Sequence, residues 1–349
     1  MHSLVRNRGI PFCMAGIFLL ALGCSGKGRN AASPAQGSSP AAAVSGTRSG
    51  TVYPVTVPNY ALSLDGSVWR DQDQTFDAAP ERVVVLTQGG AELLLRLGLG
   101  DWIVGVGAVS GSVDLEVAEA FSKLTVFSEN YIGKEIVLGA QPDLVLGRAP
   151  LFAEADWGAG SVDELNRYGI RTYIQNTSRP GAIIEDLYRD ITELGQIFDA
   201  GERAAIFIEE LREREGGLRA AVAANRGPAL SYAYLNRIVD GVPNAYAGNK
   251  DTFLASAMEI LGLVNVFRDA QRDIIDLETL IAADPDMLLW FSYAGGPDVL
   301  HLRDELYANA ALGGMKSIAN RRIYIFDYNE FWGYSYRIFS VLEKLAANL

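Results

Sequence analysis

Two glutamates stand at matching places in two similar stretches of the chain. Glu135 and Glu278 each precede a proline, Pro142 or Pro285, by seven residues. A paired acid and base for hydrolysis would need the two carboxyl groups within about 5–10 Å of each other. Carboxylates on separate lobes would instead give two salt-bridge points that orient a partner. Solvated residues favoured by the helix dipole are a third interpretation, but the duplicated spacing favours the salt-bridge points.

Aromatic, amide and arginine side chains cluster where predicted strands end. Open α/β sheets bind their ligands at the carboxyl ends of the strands. Aromatic faces give contact area for a planar or chelate-type ligand, and arginine gives charge and forked hydrogen bonds to carboxylate, phenolate or catecholate oxygens. Each aromatic taken singly could equally be core packing. As a group, the predicted ligand-binding residues are Gln88, Tyr131, Arg148, Tyr234, Arg237, Tyr246, Trp290, Tyr293 and Trp332.

The supply of histidine and cysteine restricts catalysis and metal binding. Beyond the first 24 residues, His301 is the single histidine, and no Gly-x-Ser-x-Gly elbow is present. Zinc sites built from His and Cys are excluded by supply. The glycines from Gly105 to Gly111 lack the spacing of a dinucleotide loop and are better explained as turn residues. The sequence therefore predicts no catalytic residue, no metal site and no intrinsic cofactor, although haem held by a tyrosinate or by His301 stays open.

Length and charge set the class of protein. The 349 residues are enough for two α/β lobes, and the net charge of −12 argues against nucleic acid as a partner. Short runs of Val, Ile and Leu alternate with helical patterns, which predicts mostly parallel sheet. The predicted strands are 82–86, 103–106, 124–127, 144–146, 172–174, 229–235, 287–291 and 323–326. The predicted helices are 91–97, 134–140, 162–168, 183–198, 201–225, 253–261 and 277–283.

The stretches around the two glutamates form an internal repeat. Residues 135–146 align without gaps on residues 278–289, with five of twelve positions identical. Each copy reads as a short helix that a proline ends, followed by a buried strand. Because a long helical stretch separates the copies, the sequence predicts an N-terminal α/β lobe at 51–182, a helical connector at 183–227 and a C-terminal α/β lobe at 228–349.

The N-terminus indicates export. Arg6 and Arg8 precede a short apolar run at 10–22, which is typical of a signal peptide. The run ends in a segment, at 20–24, that resembles the bacterial lipoprotein processing site, with Cys24 as the residue that receives the lipid. Residues 25–50 are rich in Gly, Ala, Ser and Pro and read as a flexible tether. We expect an exported protein anchored by lipid to the cell membrane or the outer membrane, facing the periplasm or the cell exterior.

The order of the motifs resembles the periplasmic binding proteins for ferric siderophores, haem and cobalamin, whose two lobes are joined by a single long helix. The residues that carry the resemblance are 79–86, 92–100, 103–106, both Glu-to-Pro-Asp units and 259–267, and they span roughly 52 to 349. The resemblance implies two Rossmann-like lobes with mostly parallel central sheets, one long connecting helix and a ligand cleft between the lobes.

The same resemblance implies partners and a ligand class. Glu135 and Glu278 would pair with arginines of the membrane permease of an ABC importer, which works with its ATPase. The ligand would be an iron-siderophore-type metal chelate, with cobalamin or haem as alternatives. The protein would be a monomer that touches the membrane only through its lipid. A non-transport anchored sensor with the same fold is the competing class.

Overall fold

Buried runs of Val, Ile and Leu form the centre of each lobe as parallel strands, because a strand covered by helices on both faces needs apolar residues on both sides. The computed structural model describes residues 50–62, 68–224, 227–239, 242–293 and 295–349. The predicted signal peptide, Cys24 and nearly all of the tether lie outside the described residues.

The N-terminal lobe contains a four-stranded parallel sheet of order β6-β5-β7-β8. Two small antiparallel pairs, β1 with β4 and β2 with β3, precede it in the chain. The strands are β1 (Val55–Val57), β2 (Tyr60–Leu62), β3 (Trp69–Asp71), β4 (Gln74–Phe76), β5 (Val83–Val85), β6 (Ile103–Val106), β7 (Leu144–Gly147) and β8 (Arg171–Ile174). The helices are α1 (Gln88–Arg96), α2 (Ala118–Phe121), α3 (Lys134–Gly139) and α4 (Val162–Arg167).

Two helices follow, α5 (Ile184–Ile197) and α6 (Gly201–Ala224). The chain reverses between them at Asp199, which has a left-handed φ of 52°. The 24 residues of α6 form the long helix of the fold. One buried apolar cluster includes Leu93 of α1, Leu211 of α6 and Leu289 of the second lobe, so a continuous core runs through both lobes. The structure therefore has the two-lobed α/β architecture that the sequence predicts.

The C-terminal lobe has parallel central strands and an antiparallel edge, in the order β12-β10-β9-β13-β14, with β11 pairing β9. Strand β13 pairs in parallel with β9 and β14. The strands are β9 (Ser231–Val239), β10 (Val242–Tyr246), β11 (Val264–Asn265), β12 (Ile274–Ile275), β13 (Met287–Ser292) and β14 (Ile323–Asp327). The helices are α7 (Thr252–Glu259), α8 (Leu277–Ala283), α9 (Val299–Ala308), α10 (Lys316–Ala319), α11 (Tyr328–Trp332) and α12 (Ile338–Ala346).

The internal repeat appears in the structure as α3 with β7 and α8 with β13. The residue before each repeat proline, Gln141 or Asp284, has a left-handed φ, of 51° and 44°. The aspartate after each proline then joins the start of the following strand to the start of the adjacent strand in the sheet by a hydrogen bond. Asp143 accepts the backbone N–H of Arg82 at 3.0 Å, and Asp286 accepts that of Ser231 at 2.8 Å. In both lobes, the proline thus ends the helix and the aspartate hydrogen-bonds the backbone of the neighbouring strand.

The sequence prediction was wrong for one strand and incomplete at two edges. Residues 124–127 form no strand, and only Val126 makes an isolated bridge, to Val106. Val126 is exposed and the ring of Phe127 lies against Gly105, so this run meets the edge strand β6 through backbone hydrogen bonds at Val106 without continuing as a regular strand. Strands β1 to β4 and the hairpin partner β10 were not predicted. Within the described residues, no helix is long and apolar enough to cross a membrane.

Candidate functional site

One segment of the C-terminal lobe, residues 327–337, passes across the ends of all four strands of the N-terminal sheet; we call it the crossing segment. Gly89 lets it approach α1, since a Cβ there would lie 3.0 Å from the Gly333 carbonyl oxygen. Hydrogen bonds that join it to the N-terminal lobe include Ser112 N to Asp327 Oδ2 at 2.9 Å, Asn329 Nδ2 to Gln88 Oε1 at 3.0 Å, Arg148 Nη1 to Trp332 O at 3.0 Å and Thr177 Oγ1 to Tyr334 O at 2.8 Å. Since these N-terminal partners follow β6, β5, β7 and β8, the carboxyl edge of the sheet faces the other lobe.

An aromatic wall lies at the middle of the crossing segment. The ring centroids of Phe291, Tyr234 and Tyr246 lie 5.4–5.9 Å from that of Trp332. Edge-to-face and tilted pairs of this kind add about 0.5–1.5 kcal/mol each beyond their buried area. The wall comprises Tyr234, Tyr246, Phe291, Phe331, Trp332 and Tyr334. Of these, Tyr246, Trp332 and Tyr334 keep partly exposed faces, which are the faces that a ligand could reach.

Asp251 fixes the two outer tyrosines of the wall. Its carboxylate accepts the Tyr334 hydroxyl at 2.5 Å and the Tyr246 hydroxyl at 2.9 Å. Burial raises the pKa of Asp251. Burial, followed by the negative charge of Asp251, raises the pKa of both phenols above the ordinary tyrosine range. Both tyrosines therefore stay protonated as hydrogen-bond donors, and neither is set up as a tyrosinate.

Arg148 brings a positive charge to the wall. Its Nη1 donates to the Trp332 carbonyl and its Nη2 donates to the Tyr131 hydroxyl at 3.2 Å. The guanidinium carbon lies 5.5 Å from the centre of the Tyr334 ring. Among the described residues no carboxylate forms an ion pair with Arg148, and its buried Nε has no hydrogen-bond partner. The cleft thus holds a cation whose counter-charge the described chain does not supply.

Four rings, in two pairs, lie near Arg148 at the mouth of the cleft. Tyr131 and Trp157 are both more than 40% exposed, with ring centroids 6.2 Å apart. Tyr293, equally exposed, meets the half-buried Tyr328 edge-on at 6.4 Å. Tyr131 and Tyr293 were predicted from sequence, whereas Tyr328 and Trp157 were not.

Gln88 is an interlobe strut and not a free ligand group. It is fully buried, and its amide nitrogen donates to Glu92 Oε1 at 2.9 Å and to the Ser112 carbonyl at 2.8 Å. Its amide oxygen accepts from Gly111 N and from Asn329 Nδ2. Because a glutamine amide has two donor hydrogens and two acceptor positions, this side chain has no hydrogen-bonding capacity left for a ligand.

A buried ion pair joins the lobes beside Gln88. Arg337 Nη1 lies 3.4 Å from Glu92 Oε1, and Arg337 Nη2 lies 3.0 Å from Glu330 Oε1. Glu330 also receives Lys344 at 2.7 Å, whereas Arg337 is the single cation that pairs with Glu92 among the described residues. Burial, only partly offset by Arg337 and by Gln88, raises the pKa of Glu92 to about 7.

Two predicted ligand residues lie away from the wall. Trp290 is 4% exposed and packs in the core on the other side of the C-terminal sheet, because adjacent residues of a strand point to opposite faces and Phe291 faces the wall. Arg237 is exposed on β9, and no contact joins its side chain to the wall. His301 is also peripheral, since it lies on α9 beside Glu305 with its side chain 70% exposed.

The wall also contains residues that the sequence did not single out. Phe291 ends a predicted strand and Phe331 lies in the aromatic run near the C-terminus, and both are buried. Asp251 stands 83 residues from Tyr334, and no local pattern marks it. Tyr334 belongs to the aromatic run at 328–336, and this run is the sequence pattern that indicates a binding surface there.

Glu135 and Glu278 are both exposed and lie in the first turns of α3 and α8. Each helix returns the chain to the start of the next parallel strand, so its first turn lies toward the carboxyl edge of its sheet. Neither carboxylate has an ion-pair or hydrogen-bond partner in the described part of the chain, although the neighbouring Lys134 bonds Glu164 at 2.8 Å. An exposed isoleucine, Ile136 or Ile281, lies on each helix.

Comparison with known proteins adds family membership to this geometry. A model of the periplasmic binding protein family matches residues 83–329. The uncharacterized ABC transporter substrate-binding lipoprotein YvrC of Bacillus subtilis is 22% identical over 241 residues, 68% of this chain and 69% of that protein. A cobalamin-binding protein of Halobacterium salinarum is 26% identical over 219 residues, 62% of this chain and 55% of that protein. The chain thus spans between about half and two thirds of these relatives.

Solved structures share the fold. A periplasmic binding protein from Veillonella parvula superposes with a TM-score of 0.73 at 20% identity, covering 84% of this chain and 97% of that chain. The ABC-type Fe3+-hydroxamate transport system from Saccharomonospora viridis superposes with a TM-score of 0.65 at 25% identity, covering 84% and 98%.

Proposed function

The chain belongs to the periplasmic binding protein family, and we propose that it captures an iron-siderophore-type metal chelate and delivers it to the permease of an ABC importer. Its relatives are substrate-binding proteins of transport systems, and the chain is not an enzyme. The observation that carries the choice of ligand is Arg148, a cation that lies against the aromatic wall and has no carboxylate partner within the described ranges.

The chemistry of Arg148 and the wall suits a ferric chelate. Hydroxamate, catecholate and carboxylate oxygens carry negative charge, and the guanidinium group can bind two such oxygens at once. The flat faces of Trp332, Tyr246 and Tyr334 give apolar contact to the organic part of the chelate. The match to a structure named for Fe3+-hydroxamate transport supports this choice.

Cobalamin is the second candidate, because relatives from Halobacterium and Yersinia are named for binding it. The corrin ring of cobalamin would use the same aromatic faces, and Arg148 could meet the phosphate of its nucleotide tail. Haem is less well supported, although neighbours named for haem binding share the fold, because the two wall phenols are held protonated by Asp251 and His301 lies outside the wall.

We further propose that Glu135 and Glu278 dock the protein on the permease. Both carboxylates are exposed and unpaired within the described residues, so permease arginines would not have to break an existing bond. A surface depression that includes Asp276 and Thr279 adjoins Glu278. The remaining ligand candidates, Arg237 included, stay predictions.

Cys24 is proposed as the site of lipid attachment, which would hold an exported monomer at the membrane through the tether. The relative in Bacillus subtilis is named a lipoprotein, which supports this proposal. An anchored sensor with the same fold is the alternative to a transport protein, and charge reversal at both Glu135 and Glu278 separates these two functions.

Ligand binding should quench the fluorescence of Trp332. We expect quenching by a ferric hydroxamate such as ferrioxamine B, and loss of most of that signal in Trp332→Phe, because this indole lies at the centre of the wall. Trp290→Phe is the matched control and should keep the signal, since Trp290 lies on the opposite face of the sheet. Saturable quenching by cyanocobalamin or haemin alone would overturn the choice of ligand, and no binding of any of the three would overturn the proposed function.

Arg148→Met should weaken binding of the ferric hydroxamate by about 10- to 100-fold, because a hydrogen bond to a charged group contributes about 1.5–3 kcal/mol. Titration calorimetry measures the change. Arg237→Met is the matched control and should leave the affinity unchanged. If Arg237→Met weakened binding and Arg148→Met did not, the ligand would sit at the far end of β9 instead.

A further inference from the structure

Behind the cleft lies a buried polar cluster formed by Tyr173, Asn176, Asp190 and Glu193. All four residues are at most 7% exposed. The Tyr173 hydroxyl lies 2.9 Å from Asp190 Oδ1 and 2.7 Å from Glu193 Oε2. The Asn176 amide nitrogen lies 2.9 Å from each of the same two carboxylate oxygens. Two carboxyl groups are thus gathered around one phenol inside the protein.

The contacts of Tyr173 require a proton beyond those of the neutral phenol. A tyrosine hydroxyl has one hydrogen and can donate to only one carboxylate. If Asp190 and Glu193 were both ionised, the second short oxygen–oxygen contact would join two lone pairs. A carboxyl group that carries a proton donates to the phenol oxygen and removes this conflict. The geometry therefore fits one proton shared by the two acids.

The charges around the pair are unequal. On their own helix, Arg189 bonds Glu193 at 2.8 Å, and Asp186 is bonded to Arg179 at 3.2 Å. In the part of the chain that the structure describes, no cation contacts Asp190, and its burial raises its pKa to about 7 despite the N–H groups of residues 176 and 177.

The elements packed against α5 add no cation to the cluster. From β2, Tyr60 faces the cluster, and burial together with these acids raises its pKa. From α6, Arg212 and Glu215 contact Glu185 and Tyr188 on other positions of α5. From the N-terminal segment, Tyr53 donates to the backbone of α5 at Ile197.

Asp190 also holds a turn that reaches the ligand cleft. Its carboxylate accepts the backbone N–H of Asn176 at 2.7 Å and that of Thr177 at 3.2 Å. These residues begin the tight turn Asn176–Ser178. Thr177 Oγ1 donates to the Tyr334 carbonyl of the wall, and Ser178 Oγ accepts the N–H of Ala149, the residue after Arg148. The turn therefore touches both sides of the proposed binding site.

We propose that Asp190 and Glu193 share one proton and that Asp190 is a positioning residue of the cleft, because the protonated pair keeps the Asn176–Ser178 turn in the place that sets Arg148 and Tyr334. Loss of that proton leaves two like charges around Tyr173 and loosens the turn. Asp190 retains its proton to a higher pH in the folded protein than in the unfolded chain because its pKa is raised, so its contribution is complete in acid and is lost as the pH rises through about 7. The part that concerns ligand affinity rests on the proposed function.

Hydrogen exchange in the crossing segment of the full-length, ligand-free protein tests whether the Asn176–Ser178 turn holds that segment in place. We expect Asp190→Ala to speed exchange in residues 327–337 by roughly tenfold relative to wild type, the equivalent of about one lost hydrogen bond. Asp190→Asn, which imitates the protonated acid, should exchange like wild type at about pH 6 and more slowly than wild type at about pH 8. Glu215→Gln, a buried acid bonded to Tyr188 on the other side of α5, is the matched control and should not change the pH dependence.

A double-mutant cycle tests the route to the cleft. Thr177→Val removes the bond to Tyr334, and in the Asp190→Ala background it should add less than about twofold to the exchange rate, because the turn is already loose. Fully additive effects, or a wild-type pH profile in Asp190→Asn, would overturn the inference.

Affinity for ferrioxamine B, measured over the same pH range, separates the two proposals. Wild-type affinity should fall with rising pH, whereas Asp190→Asn should show a flat profile. If hydrogen exchange depends on pH but the probe does not bind, the positioning role of Asp190 stands and the ligand assignment is wrong. If the probe binds but the wild-type affinity does not change with pH, the ligand assignment stands and the positioning role of Asp190 is wrong.

Discussion

Reversing the charge of both docking glutamates, in Glu135→Arg with Glu278→Arg, should reduce uptake of the ligand by at least about 100-fold while leaving its affinity for the isolated protein unchanged. Each new arginine would face a permease arginine, and juxtaposed like charges at an interface cost several kcal/mol. Each single reversal should give an intermediate loss. Uptake of labelled chelate by cells that carry each variant measures the effect, and calorimetry on the purified protein checks the affinity.

The matched control for this experiment lies on α6. Glu209 and Glu213 are also exposed, and neither has an ion-pair partner in the described residues. Glu209→Arg with Glu213→Arg changes the net charge by the same amount, so it should leave uptake near wild type. If the docking variant transported normally, the two glutamates would have no role in docking, and the anchored-sensor alternative would gain support.

Arg337→Ala should lower the free energy of unfolding by about 3–5 kcal/mol, the usual cost of removing one partner from a buried ion pair. The variant leaves Glu92 buried between the lobes without a cation, whereas Glu330 keeps Lys344. One oxygen of Glu92 already has no hydrogen-bond partner among the described residues, so the site has little capacity to compensate. Urea denaturation of wild type and variant gives the difference.

The loss should depend on pH in a defined direction. The folded pKa of Glu92, about 7, lies above its value in the unfolded chain, so its contribution to stability is complete in acid and is lost as the pH rises through about 7. Without Arg337 the carboxyl group would hold its proton still more tightly. Arg337→Ala should therefore cost more at about pH 8 than at about pH 5, and adding Glu92→Gln should recover part of the loss at the higher pH.

Arg214 supplies the control for this prediction. It forms a shorter ion pair with Glu343, at 2.7 Å, but both partners are partly exposed to solvent. Arg214→Ala should cost less than about 1 kcal/mol, as surface pairs do. An equal loss in the two variants would contradict the claim that burial of Glu92 is what makes Arg337 important.

Local pattern was sufficient for the elements that bury apolar residues on a regular period. Strand β5 consists of consecutive large apolar residues, as do β7 up to Leu146 and β13 up to Phe291, and α8 was predicted with the bounds that it has. The repeated Glu-to-Pro-Asp spacing identified two corresponding helix–strand units before their geometry was known. These signals are local, because helix stops, caps and buried strands depend on residues close in sequence.

Sequence failed where neighbours distant in the chain decide the outcome. The run at 124–127 has the composition of a strand but only one bridging partner, since Phe127 turns onto Gly105. Gln88 and Trp290 follow or lie within strands as ligand residues would. The structure uses the first as an interlobe strut and the second as core, because the partner that saturates a side chain or covers it is not visible locally.

The amino-acid sequence by itself determined the class of this protein: two α/β lobes, a long helix, a pair of matching glutamates and a supply of aromatic and arginine side chains without histidine or cysteine chemistry. Only the tertiary structure decided which of those side chains form the site. The crossing segment brings Trp332 and Tyr334 to Arg148, 184 and 186 residues away in the chain, and Asp251 and Thr177 fix them there. Burial, counter-charge and hydrogen-bond saturation depend on such contacts, which the folded chain creates and no local pattern encodes.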